Sequence, residues 1–198
     1  MRSELRKVCV FCGSTPGARP AYAEAAQRLG RLLAERKISM VFGGGRVGLM
    51  GIAADAVLSQ GGEVIGVIPD SLERREIGHH GVTKLHVVES MHQRKALMAD
   101  LSDAFIALPG GYGTLEEFAE IVTWSQLGIQ SKPCGLLNVD GYWNGLLEFL
   151  DHAVTEQFLR PENRKLVLVA ETPEQMLERI SAWKPPEHIE KWLDEANR

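Results

Sequence analysis

Two charged residues stand in this chain where charge is costly. Met91, Arg94, Met98 and Leu101 recur at spacings of three, four and three, so a helix would put all four on one face and an arginine would interrupt an apolar stripe. Such an arginine meets a carboxylate, lines an anionic pocket, or reaches out to solvent along its stem; the spacing does not choose. Glu117 sits at the margin of a second stripe made by Phe118, Ile121, Val122 and Ser125, with Glu116, Glu120 and Thr123 on the opposite side. It also follows Thr114 by three residues, the spacing of a capping box in which the glutamate bonds back to the cap N–H. On that motif alone, the cap is favoured over catalysis.

Around these two residues lie three glycine-rich turns: Cys12, Gly13, Ser14; the stretch 43–51, which includes Gly44 and Gly45; and the stretch 109–114, which includes Gly110. A phosphate at a helix N-terminus must approach backbone N–H groups closely, and a side chain there would block it. For any one loop, tight turning is the better account of the glycines. Three together point to a phosphate. Gly43, Gly45 and Gly48 also fit the dinucleotide pattern G-x-G-x-x-G, with Asp70 near the distance expected of a ribose-binding acid. Against that reading, the match follows the second apparent strand, Asp70 comes after Pro69 in a turn, and no separate substrate domain is left over.

Cys9 and Cys12 form a C-x-x-C, but Cys9 falls inside a strand-like run rather than at a helix start, so packing is expected rather than redox chemistry. His79 and His80 lie in a polar loop with no accompanying ligand set, and are expected to be solvated; no metal is assigned.

The elements that must position these groups follow from the periodicity. Short apolar runs at 8–11, 38–42, 63–68, 85–88, 104–108, 134–138 and 166–169 alternate with amphipathic stretches at 20–36, 48–59, 91–101, 113–127, 142–157 and 173–183. This order implies an α/β fold: a single-domain, Rossmann-like parallel sheet flanked by helices, extending over residues 1–198. In such a sheet every loop after a strand emerges on one edge, which is where the three glycine turns would collect. The polar loop holding Arg74, Arg75, His79 and His80 is a candidate lid. A last stretch, 188–196, carries Ile189, Trp192 and Leu193 at helical spacing and is expected to dock on the body.

Bulk properties narrow the function. With 198 residues, 44% hydrophobic and 24% charged, the chain can bury one core. A net charge of −4 without any Lys/Arg block argues against a nucleic acid polymer as partner. No apolar run is long enough to span a membrane and no signal core follows the charged N-terminus, so a cytoplasmic location is expected, which the three cysteines, an odd count, also suit.

Residues 109–117 read PGGYGTLEE, which resembles the PGGxGTxxE motif of the LONELY GUY (LOG) family, the cytokinin riboside 5′-monophosphate phosphoribohydrolases. Met91, His92, Gln93, Arg94, Lys95 is similar to that family's MHxRK segment, and 43–51 to its GGGxxGLMG stretch; the resemblance covers most of the chain. It implies hydrolysis of nucleoside 5′-monophosphates, cytokinin forms and AMP included, to free base and ribose 5-phosphate, with no cofactor and in a homodimer whose site lies near the interface. By position, Arg94 and Glu117 match the family's catalytic pair. Lys95, Gly111, Tyr112, Gly113 and Thr114 match substrate-binding positions, as do Glu76 and Thr123 in more variable surroundings. Many relatives bear the label lysine decarboxylase, yet the chain shows no Schiff-base lysine context. A nucleotide-binding carrier without chemistry is the alternative function.

Overall fold

The computed structural model describes residues 5–74 and 78–185. Seven parallel strands form one sheet: β1 (Lys7–Phe11), β2 (Ser39–Phe42), β3 (Val64–Pro69), β4 (Lys84–Val88), β5 (Ala104–Ala107), β6 (Cys134–Leu137) and β7 (Val167–Ala170). Their spatial order is β4-β3-β2-β1-β5-β6-β7. Between them run α1 (Pro20–Glu35), α2 (Gly48–Ser59), α3 (Asp70–Glu73), α4 (Met91–Leu101), α5 (Tyr112–Gln126), α6 (Asn144–Thr155), α7 (Pro161–Arg164) and α8 (Pro173–Ala182).

Alternation along the strands divides the core in two. Val8 and Val10 of β1 point into one cluster with Met40, Phe42, Ala104 and Ile106, covered by Leu29 and Leu33 of α1, Leu49 and Ala53 of α2, and Met176 and Ile180 of α8. Cys9 and Phe11 point the other way, joining Val41, Val67, Phe105 and Ala107 beneath Met98 of α4 and Phe118 and Ile121 of α5. Because both faces are covered, the central strands read as continuous apolar runs. Chain order reverses between β1 and β5, so the loops after these two strands part from each other at the sheet edge, where α/β folds bind their ligands.

The sheet and its longer helices fall within two residues of where the periodicity puts them. A 3₁₀ turn at Val139–Gly141 precedes α6, which starts at Asn144 rather than at 142. Two single-turn helices, α3 and α7, were not expected; four residues are too few for apolar periodicity to register. The stretch 188–196, expected to dock on the body, lies outside the described residues, as do Arg75 and Glu76 of the expected lid. What is described of that loop is docked: Gly78 bridges to Gly45, and the His79 N–H donates to the Gly44 carbonyl at 2.8 Å. His79 is accordingly not a solvated histidine. Its Nδ1 accepts from the Gly81 N–H at 3.3 Å, which leaves Nε2 to donate to Asp55 at 2.9 Å, and its ring meets the edge of Phe42.

Candidate active site

The position of Arg94 begins with a cap that sits on its own helix. The Ser90 hydroxyl accepts from the Gln93 N–H at 3.2 Å, and the Gln93 side-chain oxygen reaches back to the Glu89 N–H at 2.9 Å. This reciprocal pair fixes the first turn of α4, and the next residue is Arg94. Its side chain lies inward, only 10% exposed, which excludes the solvent-reaching reading. Met91, grouped with it by spacing, is exposed instead, because it stands at the helix entrance beyond the edge of the core. The Arg94 Nε donates to the Val67 carbonyl at 3.2 Å, and Nη1 lies 2.8 Å from Oε1 of Glu117.

Glu117 is also buried, with 10% of its side chain exposed. The expected capping box is absent at its helix. α5 begins at Tyr112 with Gly111 as its cap residue, which puts Thr114 in the third helical position rather than before the helix. Gly111 makes no side-chain cap, so the first-turn N–H groups of α5 have neither an intrahelical acceptor nor a side-chain one from the cap. Glu117 turns instead toward Arg94. Burial raises its carboxyl above the ordinary glutamate value, and the Arg94 charge offsets only part of that rise.

Lys95, next to Arg94, is buried too, and its ammonium pairs with Glu116 and, at 3.0 Å, with Glu120. Burial pulls its pKa down, but pairing with these two glutamates outweighs it and holds the amine protonated. Thr123 is exposed, with its hydroxyl donating to the Ala119 carbonyl at 2.7 Å. Glu76 falls outside the described residues.

The three glycine turns do converge. The Gly13 N–H donates to the Pro109 carbonyl at 3.0 Å, and the Leu49 N–H to the Gly13 carbonyl at 3.0 Å. Their glycines, however, serve different ends. A methyl carbon on Gly43 would overlap the Arg94 guanidinium; on Gly48, the Ser14 backbone; on Gly110, the Thr114 hydroxyl. These glycines admit protein. Gly44 and Gly45 are buried beneath the docked 78–79 segment, while Ser14 is exposed at the rim. Gly111 and Gly113 of the third turn face open space, with nothing among the described residues within 4 Å of where a side chain would begin. Gly43 and Gly48 thus leave the dinucleotide reading, and Asp70 pairs with Arg74 at 2.7 Å.

Burial pushes the thiols of Cys9 and Cys12 upward, the opposite of an activated thiolate, which agrees with packing. Tyr142 was not singled out from sequence: its hydroxyl donates to the Gly110 carbonyl at 2.6 Å. Nothing in the local pattern around residue 142 marks a contact 32 residues away. The assembled site is therefore a buried arginine–carboxylate pair whose glutamate stands five residues, about 7.5 Å, along α5 from a helix N-terminus whose glycines are open to an anion.

Residues 50–180 match the family model described as "Possible lysine decarboxylase". A probable cytokinin riboside 5′-monophosphate phosphoribohydrolase of Oryza sativa subsp. japonica is 54% identical over 185 residues, covering 93% of this chain and 74% of that protein. A cytokinin riboside 5′-monophosphate phosphoribohydrolase of Arabidopsis thaliana is 51% identical over 184 residues, covering 93% and 85%. Among solved structures, the molybdenum cofactor binding protein of Rippkaea orientalis is similar with a TM-score of 0.69 and 25% identity, covering 91% of this chain and 98% of that one.

Proposed function

The chain belongs to the LOG family of cytokinin riboside 5′-monophosphate phosphoribohydrolases, and from that premise we propose that it hydrolyses the N-glycosidic bond of nucleoside 5′-monophosphates, AMP among them. The observation that carries this reading is the buried Arg94–Glu117 pair just behind the uncapped start of α5.

The phosphate sits against the N–H groups of Gly111, Tyr112 and Gly113, with the Thr114 hydroxyl nearby, where the helix dipole adds roughly 0.3–1 kcal/mol. Its binding energy holds the sugar over Glu117. As the bond to the base breaks, positive charge grows on the ribose ring, and a carboxylate already fixed in a buried site stabilises that charge more than it stabilises the neutral substrate. Glu117 also orients the attacking water or a ribose hydroxyl. Arg94 keeps this carboxylate ionised despite its burial, and Lys95 adds positive charge from within its glutamate pair.

The decarboxylase description of the family model asks for different chemistry. A Schiff-base lysine needs a neutral amine, whereas the Lys95 amine is held charged by two glutamates. The similarity to a molybdenum cofactor binding protein favours one other reading, a carrier that binds a phosphorylated ligand without reacting. A buried Arg–Glu pair behind the phosphate site is costly to maintain and gives a carrier nothing, which supports the hydrolase. We also infer a homodimer: α6 has no fully buried residue, and Ile129, Phe149 and Phe158 are 60%, 62% and 91% exposed, an apolar surface suited to a second copy. Among the described residues no helix is long and apolar enough to cross a membrane.

Assaying a panel of nucleoside 5′-monophosphates, prenylated and plain, for liberated base tests the proposal. Release of base with ribose 5-phosphate supports it; tight binding of every nucleotide without turnover supports the carrier.

A further inference from the structure

We propose that Tyr142 is a positioning residue for the phosphate turn, acting by fixing the orientation of the Gly110–Gly111 peptide; this rests on the phosphate-binding role given to that turn above. An anion is repelled by carbonyl oxygens and attracted by N–H groups, so a backbone turn binds phosphate only if its carbonyls are directed elsewhere. Three successive carbonyls in this turn have a donor each. Pro109 accepts from the Gly13 N–H at 3.0 Å, Gly110 from the Tyr142 hydroxyl at 2.6 Å, and Gly111 from the Leu115 N–H at 3.0 Å. The first and third donors are backbone groups that come with the sheet and the helix. The second is the single side chain among them.

The peptide between Gly110 and Gly111 is trans, as no cis bond occurs among the described residues, so its C=O and N–H point in opposite directions. Holding the carbonyl toward Tyr142 therefore aims the Gly111 N–H away from Tyr142, at a residue where an added side-chain carbon would meet nothing within 4 Å among the described residues. A glycine pair is the kind of peptide that needs such a tether, because without side chains its plane turns over at little steric cost.

Tyr142 is itself held in place. Asn138 bonds its own backbone N–H to the Ala170 carbonyl at 2.7 Å, and its side chain accepts from the Trp143 N–H at 2.7 Å. Between these points the chain turns through Asp140 and Gly141, both with positive φ, and delivers Tyr142 to the glycine turn. Its ring then meets Tyr22 and Trp143 edge-on, with centroids 5.6 and 4.9 Å apart. The ring fixes the position and the hydroxyl does the directing.

The test compares Tyr142→Phe and Tyr142→Leu with the wild type, measuring KM and kcat for AMP, cleavage of adenosine, and inhibition by ribose 5-phosphate. For Tyr142→Phe we expect KM for AMP and the inhibition constant of ribose 5-phosphate to rise together by about 2- to 12-fold, the worth of one neutral hydrogen bond, with kcat and adenosine cleavage near wild type. If Tyr142→Phe matches the wild type while wild-type enzyme still prefers AMP over adenosine, the inference is wrong and the phosphate reading stands. If only Tyr142→Leu is impaired, the ring rather than the hydroxyl holds the turn, which also overturns it. Should the wild type not distinguish AMP from adenosine, the phosphate reading fails and this inference with it.

Discussion

Arg94 and Glu117 meet at 2.8 Å with one tenth of each side chain exposed, on helices that also bury Met98 and Ala99 of α4 and Phe118 and Ile121 of α5. A pair of this kind gives little net stability against an apolar substitute, because desolvation offsets most of the attraction. Its presence is better explained by a charge that must form opposite it during reaction.

Replacing Glu117 by Gln preserves the size of the side chain and removes its charge. Turnover of AMP should drop by about 100- to 10,000-fold, while ribose 5-phosphate still binds at the helix start. Undiminished turnover in a folded Glu117→Gln protein would contradict the catalytic role.

The seat of Arg94 can be tested without touching the pair. A methyl group at Gly43 overlaps the guanidinium, so Gly43→Ala must displace Arg94 from Glu117. Misplacement on the scale of 1 Å is worth about 100-fold in rate, and that is the loss expected in kcat. A fully active Gly43→Ala enzyme would show that the position of Arg94 does not matter.

The pH dependence follows from burial. Burial lifts the Glu117 carboxyl above 4.5, and Arg94 only partly opposes it. In the unfolded chain the group returns to that ordinary value, so on acidification the folded protein takes up this proton first. Its contribution to stability is complete below 4.5 and is lost as pH rises through the higher folded value. Over that window, the stability of wild type relative to Glu117→Gln should fall with rising pH, as read by denaturant titration at a series of pH values. Activity should run the other way, with an acid limb inflecting above 4.5. A stability difference that grows with pH would reverse the assigned shift.

Sedimentation tests the proposed homodimer. The wild type should run at about twice 21.9 kDa, and Phe149→Asp on α6 should shift it toward the monomer. A wild type that stays monomeric at high concentration would remove the second copy from the account.

Much of the fold was legible because its signals are local and repeated: buried strands such as 64–69 announce themselves as apolar runs, and α4 as a spaced stripe. Arg94 and Glu117 were each visible as anomalies on such stripes. Their contact was not, since nothing in either helix tells which partner faces it. The capping signal was assigned to Thr114 and Glu117, whereas the pair that caps is Ser90 and Gln93; the same spacing occurs at both, and only the position of the helix start decides. Gly43 looked like an anion-binding glycine because the sequence cannot say whether the space it leaves is filled by ligand or by protein. His79 and Tyr142 escaped for the same reason, as each acts on backbone far away along the chain.

The most direct test of the central claim compares kcat/KM for AMP and adenosine, with the products identified. Adenine and ribose 5-phosphate are expected from AMP, with a preference for AMP of at least about 100-fold, as remote binding energy spent on positioning requires. Equal cleavage of adenosine, or AMP consumed without ribose 5-phosphate, would contradict it.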